Sequence, residues 1–174
     1  SNNSSLKIET SKGDAVKAMF DGHVRLSRKT DSQGNVIVIR HDNGLETVYA
    51  NNAENLVKVG QFVQAGQTIA IVGSKNGETY CEFSIMVNGG RINPETILEV
   101  RSHKLRRQTV QFRKNGNRVN VSVVGGKDSS VGKDSSVGKG ETLDPDEVND
   151  PFVLTNTFEL DLRKIESEHW AYPL

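Results

Sequence analysis

The fold is decided by one stretch of the chain, Gly34–Ala50, which reads GNVIVIRHDNGLETVYA. Two apolar runs flank Asp42-Asn43-Gly44 there, and asparagine and glycine tolerate the positive φ angles that a tight turn requires. The first run, Val36–Ile39, has no polar residue, which predicts a strand that is covered on both faces. The stretch therefore predicts a β-hairpin at the centre of a sandwich or barrel.

The same pattern continues outward from this hairpin in both directions. Between Gly13 and Leu98, short β-like runs alternate with turns such as Asp21-Gly22 and Asn88-Gly89-Gly90, and no stretch has a helical period. Gly60 and Gly66 lie six residues apart, a spacing that suits a tight reversal in a barrel-like sheet. The predicted strands are Ala15–Phe20, His23–Arg28, Asn35–His41, Leu45–Ala50, Thr68–Gly73 and Tyr80–Val87. We therefore predict an all-β domain over residues 1–100.

The remaining residues divide into three segments. Residues 101–124 are predicted to be a β-hairpin extension that turns at Asn115-Gly116, a dipeptide typical of tight hairpins. Residues 125–150 contain the tandem repeat GKDSSV and are predicted to be a flexible linker, because small polar residues bury too little surface to offset the entropy of ordering. Residues 151–174 regain alternating apolar positions and are predicted to add a strand to an open edge of the sheet.

Composition excludes several classes of function. Lysine plus arginine and aspartate plus glutamate number 22 each, so the chain has no net charge that would attract nucleic acid or acidic lipid over a long range. The basic cluster at residues 101–107 lacks interleaved aromatic residues and is predicted to be a solvated edge. No apolar segment reaches the ~18 residues of a membrane span. A single cysteine, Cys81, excludes an internal disulfide and a zinc site built from cysteines.

Short motifs occur in an order that resembles the LytM-type peptidases of family M23. These motifs are Gly13–Ala18 with Asp21-Gly22, Gly34–His41, Thr47–Ala50, Val57–Gln61, Gly66-Gln67, Gly73-Ser74, Val87–Gly89 and Ile92–Pro94. The resemblance covers residues 3–98 and rests on many motifs in sequence order, which makes it more specific than a single glycine pattern. It implies an open antiparallel β barrel or sandwich with a long groove. Residues 158–174 resemble the segment that precedes such a domain, so either a second domain follows in the parent protein or, as we expect, this segment folds back to supply the N-terminal strand. Active members of the family cut peptide cross-bridges in peptidoglycan.

The resemblance also implies where zinc ligands would stand, and other residues occupy those positions. Active members use a histidine and an aspartate in an H-x-x-x-D pattern, and the second histidine of a later H-x-H motif. Here Asn3 and Lys7 fall at the first pair and Tyr80 and Glu82 at the H-x-H, while Asn51 replaces a histidine that follows Tyr-Ala. Only Glu82 is an ordinary zinc ligand, since lysine is cationic and amides and neutral phenols bind zinc poorly.

Two requirements of the peptidase reaction are therefore expected to be missing. Without zinc no water is activated near neutral pH, and neither Asn51 nor a protonated Tyr80 offers the basic nitrogen of a histidine. The remaining histidines are His23, His41, His103 and His169, and no two of them have a spacing that aims two imidazoles together. We predict no catalytic residue, no metal site and no cofactor.

The predicted function is a non-catalytic binding or regulatory module of the cell envelope. Its groove, lined by Asn3, Lys7, Tyr49, Asn51, Tyr80 and Glu82, would bind peptidoglycan or a cell-wall hydrolase, because degenerate members of the family include activators of cell-wall amidases. An alternative interpretation places Tyr49 in the core and pairs Lys7 with Glu82 in a filled cleft. The resemblance, together with a chain that starts without methionine, predicts an exported, periplasmic or envelope-associated bacterial protein.

Two other functions remain as alternatives. An active zinc endopeptidase of peptidoglycan would need Glu82 and ligands not recognised in the sequence. A biotinyl or lipoyl carrier would share the glycine-spaced hairpins of Val57–Gly73, but no lysine stands at a hairpin tip in the sequence setting of those carriers.

Overall fold

The computed structural model describes residues 5–42, 44–115, 118–124, 135–137 and 157–174. Nine antiparallel strands form the main sheet, which confirms the predicted all-β fold. Their bounds are β1 Leu6–Glu9, β2 Ala15–Lys17, β3 Gly22–Thr30, β4 Gly34–Arg40, β5 Leu45–Asn55, β6 Phe62–Val63, β7 Thr68–Lys75, β8 Glu78–Val87 and β9 Gly90–Ile92. The order is β1-β8-β7-β5-β4-β3-β6, with β2 on β7, β9 on β8, and further pairing between β8 and β5.

The predicted central hairpin is present as β4 and β5, which pair with Val38 opposite Val48. All four residues of Val36–Ile39 are fully buried, as the unbroken apolar run predicts. Ile37 and Ile39 pack in the larger core, whereas Val36 and Val38 belong to a smaller cluster that also contains Val48 and Met86. The sheet is therefore buried on both faces at its centre.

The two glycines spaced six residues apart lie in two turns of the same design. Lys58–Gln61 and Gln64–Gln67 are each closed by a backbone hydrogen bond, of 3.1 and 3.0 Å. In each turn the closing glutamine side chain also accepts from the first N–H. Gly60 and Gly66 have φ angles of 93° and 85°, a region that favours glycine. These turns reverse the chain between β5 and β7, on either side of β6.

A second, four-stranded sheet follows the main one. After the short pair β10 Leu98–Glu99 and β11 Lys104–Leu105, its strands are β12 Thr109–Asn115, β13 Arg118–Val124, β14 Ser135–Val137 and β15 Thr157–Asp161, in the order β14-β13-β12-β15. β12 and β13 pair antiparallel within the residues of the predicted hairpin extension. Only 135–137 of the predicted linker are described, and they form β14. The rest of residues 125–150 lies outside the described ranges, so the linker stays a prediction.

The C-terminal segment contacts both sheets. Its strand β15 pairs with β12, and Phe158 stacks on Phe112 with ring centroids 5.7 Å apart. β15 does not supply the first strand of the main sheet. That expectation is wrong, because β1 already pairs with β8 at that edge. Beyond β15 and two 3-10 turns at Leu162–Lys164 and Ser167–His169, the chain returns to the main domain. There the Ala171 N–H donates to the Met19 carbonyl oxygen at 2.8 Å.

No helix in the described part of the chain has both the length and the apolar character needed to cross a membrane.

A buried chain of hydrogen bonds connects strands β4 and β5 to residues 19–21. The Met19 N–H donates to the Tyr49 hydroxyl at 2.9 Å, and the Tyr49 and Thr47 hydroxyls lie 2.7 Å apart. Thr47 Oγ1 is 2.8 Å from His41 Nε2, and His41 Nδ1 is 2.7 Å from the Asp21 carbonyl oxygen. A carbonyl oxygen only accepts, so Nδ1 must carry the proton and Nε2 must accept from Thr47. Each N–H and O–H group in this chain of hydrogen bonds has an acceptor only when His41 is neutral.

Burial lowers the pKa of His41 from 6.5 to about 4, against a smaller opposing effect of the bond to Asp21. The unfolded chain therefore binds this proton more readily between those two pH values. We expect this contribution to the free energy of unfolding to be constant above about pH 6.5 and to fall by up to about 3 kcal/mol as the pH drops towards 4.

Urea unfolding at a series of pH values measures this effect, and His41→Gln should flatten the curve in that window. His23→Gln, which changes an exposed histidine, is the matched control and should keep the wild-type slope. An unchanged slope in His41→Gln would contradict the assignment of this titration to His41.

Candidate functional site

The register of β1 on β8 brings three of the predicted residues, Lys7, Tyr80 and Glu82, onto one face of the sheet. Lys7 lies opposite Glu82, and Glu9 lies opposite Tyr80. Residues directly opposite in an antiparallel pair share a face of the sheet. Cys81 and Phe83 are fully buried in the core, so Tyr80 and Glu82 point to the other face with Lys7 and Glu9. We call Lys7, Glu78, Tyr80 and Glu82 the β1–β8 site.

The Lys7 ammonium is already engaged within this site. Its Nζ forms an ion pair with Glu78 and lies 4.7 Å from the centroid of the Tyr80 ring. The hydrogen bond to Glu78 raises the pKa of Lys7, so this side chain stays protonated at neutral pH. Both partners of the ion pair are about half exposed, so water screens their attraction. The alternative pairing of Lys7 with Glu82 is not found.

Glu82 has few partners by comparison. Its half-buried carboxylate accepts a hydrogen bond of 3.5 Å from the Ser5 hydroxyl. Across the described residues, no lysine, arginine or histidine forms an ion pair with it. A half-buried carboxylate with one long hydrogen bond keeps most of its capacity to accept from a bound molecule.

Asn51 ties strands together rather than projecting freely into the groove. Its φ angle is 67°, a left-handed conformation that asparagine adopts more readily than most residues. The side-chain Nδ2 donates to the carbonyl oxygens of Tyr80, at 2.9 Å, and Gly73, at 3.3 Å. Gly73 must be glycine, because a Cβ there would lie 2.2 Å from the Asn51 carbonyl oxygen. Asn51 therefore positions the backbone beneath Tyr80.

The sequence also predicts Tyr49 and Asn3 in the groove. Tyr49 is fully buried in the core, where its ring packs 5.5 Å from that of Phe83, so the structure places it away from the groove. The reason is strand periodicity: Tyr49 points to the opposite face from Ala50, which lies beside Glu82. Asn3 lies outside the described residues.

Sequence reasoning missed Glu78 and Ser5. Glu78 stands two residues before Tyr80 on the same strand, so period-2 alternation alone would have placed it on the same face. No comparable signal pointed to Ser5, because β1 itself was not among the predicted strands.

The donor atoms of the β1–β8 site do not fit a zinc ion. The site offers carboxylates and a phenol but no imidazole, and the Lys7 ammonium would repel a dication. Within the described residues, the only cluster of histidine, cysteine and acidic side chains close enough to share a metal ion is Glu166, Glu168 and His169. These three residues are exposed in the C-terminal segment and do not belong to the β1–β8 site.

Comparison with known proteins identifies the domain. Residues 1–94, more than half of the chain, match the model of peptidase family M23. The chain belongs to peptidase family M23. Its M23 domain carries the β1–β8 site and all the motifs on which the sequence resemblance rested.

Two relatives of this M23 domain are named as activators of murein hydrolases. The chain is 40% identical over 92 residues to the murein hydrolase activator EnvC of Escherichia coli, a match covering 52% of this chain and 22% of EnvC. It is 37% identical over 94 residues to the murein hydrolase activator NlpD of Salmonella dublin, covering 53% of this chain and 25% of NlpD. The matched part thus spans a quarter or less of these relatives.

The M23 domain also matches a solved peptidase structure. The catalytic domain of the antimicrobial peptidase lysostaphin from Staphylococcus simulans superposes with a TM-score of 0.50 at 26% identity, covering 53% of this chain and 76% of that one. The fold of the M23 domain is therefore shared by proteins named as peptidases and proteins named as activators.

The role of Asn51 gives a graded prediction. Asn51→Ala removes two hydrogen bonds and places a Cβ residue without a compensating amide in the left-handed region, so we expect it to destabilise the chain by roughly 2–3 kcal/mol. Asn51→Gly loses the same bonds but adopts this φ without strain, so its loss should be smaller. Urea unfolding of both variants measures the difference. Equal losses would mean that the φ angle does not matter, and no loss in either variant would mean that the two hydrogen bonds do not matter either.

Proposed function

We propose that this chain is a non-catalytic regulatory module of bacterial cell-wall hydrolysis that acts in the cell envelope. Its β1–β8 site would bind a cell-wall hydrolase in place of cutting peptidoglycan itself. The observation that carries this proposal is the Lys7 ammonium, which pairs with Glu78 and covers the Tyr80 ring where active relatives are expected to hold zinc.

The charge of Lys7 argues against metal-dependent hydrolysis. A catalytic zinc ion requires about three neutral or anionic ligands and lowers the pKa of the water in its remaining position. Here a permanent cation takes one expected ligand position, and its pKa is raised rather than lowered. A dication beside this ammonium would meet repulsion where it needs a ligand.

The groups that would move a proton also support a binding role. Asn51 uses its amide N–H groups on the carbonyl oxygens of Tyr80 and Gly73, and an amide has no basic nitrogen. The phenol of Tyr80 lies beside a cation and, unlike an imidazole, has no basic nitrogen. Among its described side chains the site therefore has no imidazole to move a proton, and its carboxylates have no metal-activated water on which to act as a base.

Glu82 gives the site a means of binding. Its carboxylate lies on the groove face between Lys7 on β1 and Ala50 on β5, and the Ser5 hydroxyl is its one hydrogen-bond donor among the described residues. A lysine, an arginine or a backbone N–H of a partner could form a charge-assisted bond there. The two relatives named as activators of murein hydrolases favour a hydrolase as that partner.

Metal content separates this proposal from an active peptidase. After incubation with a zinc salt and dialysis, we expect fewer than about one zinc ion per ten chains by elemental analysis, since the site offers no set of three good ligands. Isolated sacculi should release no muropeptides above the buffer control, with or without a chelator. Stoichiometric zinc together with chelator-sensitive release would instead establish an active zinc endopeptidase.

Binding through Glu82 has its own test. Immobilised chain should retain hydrolases from an envelope extract, and addition of the chain should increase the dye that these hydrolases release from labelled peptidoglycan. Glu82→Arg should weaken the binding at least about tenfold, because it places a second cation beside Lys7. Glu159→Arg changes an exposed carboxylate on the second sheet and is the matched control.

Two results would change the proposal. If purified peptidoglycan alone retains wild type but not Glu82→Arg, the ligand of the site is a wall peptide rather than a hydrolase. If Glu82→Arg retains the same partners as wild type, the β1–β8 site is not a binding site.

A further inference from the structure

Large exposed apolar side chains gather on one turn of the main domain. Within the described residues they are Leu56, Val59 and Phe62, exposed by 46%, 63% and 51%. All three lie in residues 56–62, which run from the end of β5 to the first residue of β6. We call this segment the apolar turn. Their neighbours Val57 and Val63 are buried, so the segment packs on the core and still presents three apolar side chains to solvent.

The backbone of the apolar turn is held firmly. The Gly60 N–H donates to the Val24 carbonyl oxygen at 2.8 Å, and the Val24 N–H donates to the Gln61 carbonyl oxygen at 2.9 Å. At the start of the turn, the Leu56 N–H donates to the Ile69 carbonyl oxygen at 2.8 Å. The Ser27 hydroxyl donates to the Val57 carbonyl oxygen, also at 2.8 Å. These groups need no water, so moving the turn into an apolar medium would cost little desolvation.

The apolar turn is convex. Val59 and Gly60 are the two central residues of the turn Lys58–Gln61, and a Cβ added at Gly60 would meet no atom within 4 Å. Phe62 stands on β6, the last strand of the sheet, with the ring of His23 at 5.2 Å against its edge. A protruding tip of three side chains offers far less than the ~800 Å² per partner of a stable protein interface.

The charges around the apolar turn favour an anionic surface. Lys58 lies in the middle of the turn with an exposed side chain, and the sequence from Asn55 to Gly77 contains no aspartate or glutamate. The nearest acidic residues are the exposed Glu54, two residues before Leu56, and Asp21, whose carboxylate accepts from the Ala65 N–H. Apolar side chains with an adjacent lysine are the combination by which peripheral proteins bind anionic lipid, the apolar groups entering the acyl boundary and the cation remaining at the headgroups.

We propose that the apolar turn inserts Leu56, Val59 and Phe62 into the surface of an anionic lipid bilayer. Phe62 and Val59 enter the boundary between headgroups and acyl chains, and Lys58 contacts the lipid phosphates. This inference rests on the apolar turn alone and is independent of the function proposed for the β1–β8 site.

Vesicle flotation tests the proposal directly. The chain should float with vesicles of phosphatidylglycerol and phosphatidylethanolamine and bind at least about tenfold less to phosphatidylcholine vesicles. The double variant Val59→Ser/Phe62→Ser should lose at least about tenfold in partitioning, with unchanged circular dichroism and urea midpoint.

Lysine variants test the electrostatic part. Lys58→Glu should weaken binding to anionic vesicles severalfold, whereas Lys75→Glu, an exposed lysine outside the apolar turn, should bind as wild type does. A Val59→Trp variant should show blue-shifted emission with vesicles, beyond any change from Trp170 alone in wild type.

Three outcomes would overturn the proposal: no flotation of wild type, equal losses in Lys58→Glu and Lys75→Glu, or an unshifted Val59→Trp spectrum. Concentration-dependent self-association that Phe62→Ser abolishes, without any vesicle binding, would instead assign the turn to contacts between copies of the chain.

Discussion

The main domain depends on the register of β8 between β1 and β5. Because successive side chains of a strand alternate between the two faces of a sheet, this register sends Cys81 and Phe83 into the core and Tyr80 and Glu82 to the opposite face, beside Lys7. A shift of one residue would bury a carboxylate among apolar side chains, at a cost of several kcal/mol. The apolar core therefore fixes the position of Glu82 opposite Lys7, and the chemistry of the site follows from it.

The β1–β8 site combines the fold of peptidase family M23 with side chains that do not fit a zinc ion. Zinc-dependent hydrolysis requires several ligands and a base in one place, so the loss of a few side chains is enough to remove it. Binding requires only a shaped surface with polar groups that remain available. In the β1–β8 site the charges of Lys7 and Glu78 compensate one another, and Glu82 keeps most of its hydrogen-bonding capacity. Family membership alone does not choose between these functions, since the fold occurs in proteins named as peptidases and as activators.

The β1–β8 site and the apolar turn lie at opposite ends of the strand order of the main sheet. In the strand order, β1 is the first strand and β6 the last. The C-terminal segment also contacts the main domain. Phe20 pairs with Trp170 in an isolated bridge, and the buried Tyr172 stacks on His103 with ring centroids 4.0 Å apart. This segment thus belongs to the packed structure of the main domain, although its strand lies in the second sheet.

The sequence by itself determined the all-β class, the hairpin within Gly34–Ala50 and the membership of a family, because these follow from local apolar patterns and from turns that need glycine or asparagine. The sequence also predicted that Lys7, Tyr80 and Glu82 replace residues of the family's metal-site motifs. Only the tertiary structure decided which partner each charge has: Lys7 pairs with Glu78 rather than Glu82, and Tyr49 enters the core. It also decided that the C-terminal strand pairs with β12. Such pairings join residues far apart in the chain, and local sequence patterns do not encode which open strand edge or which of several carboxylates lies closest in space.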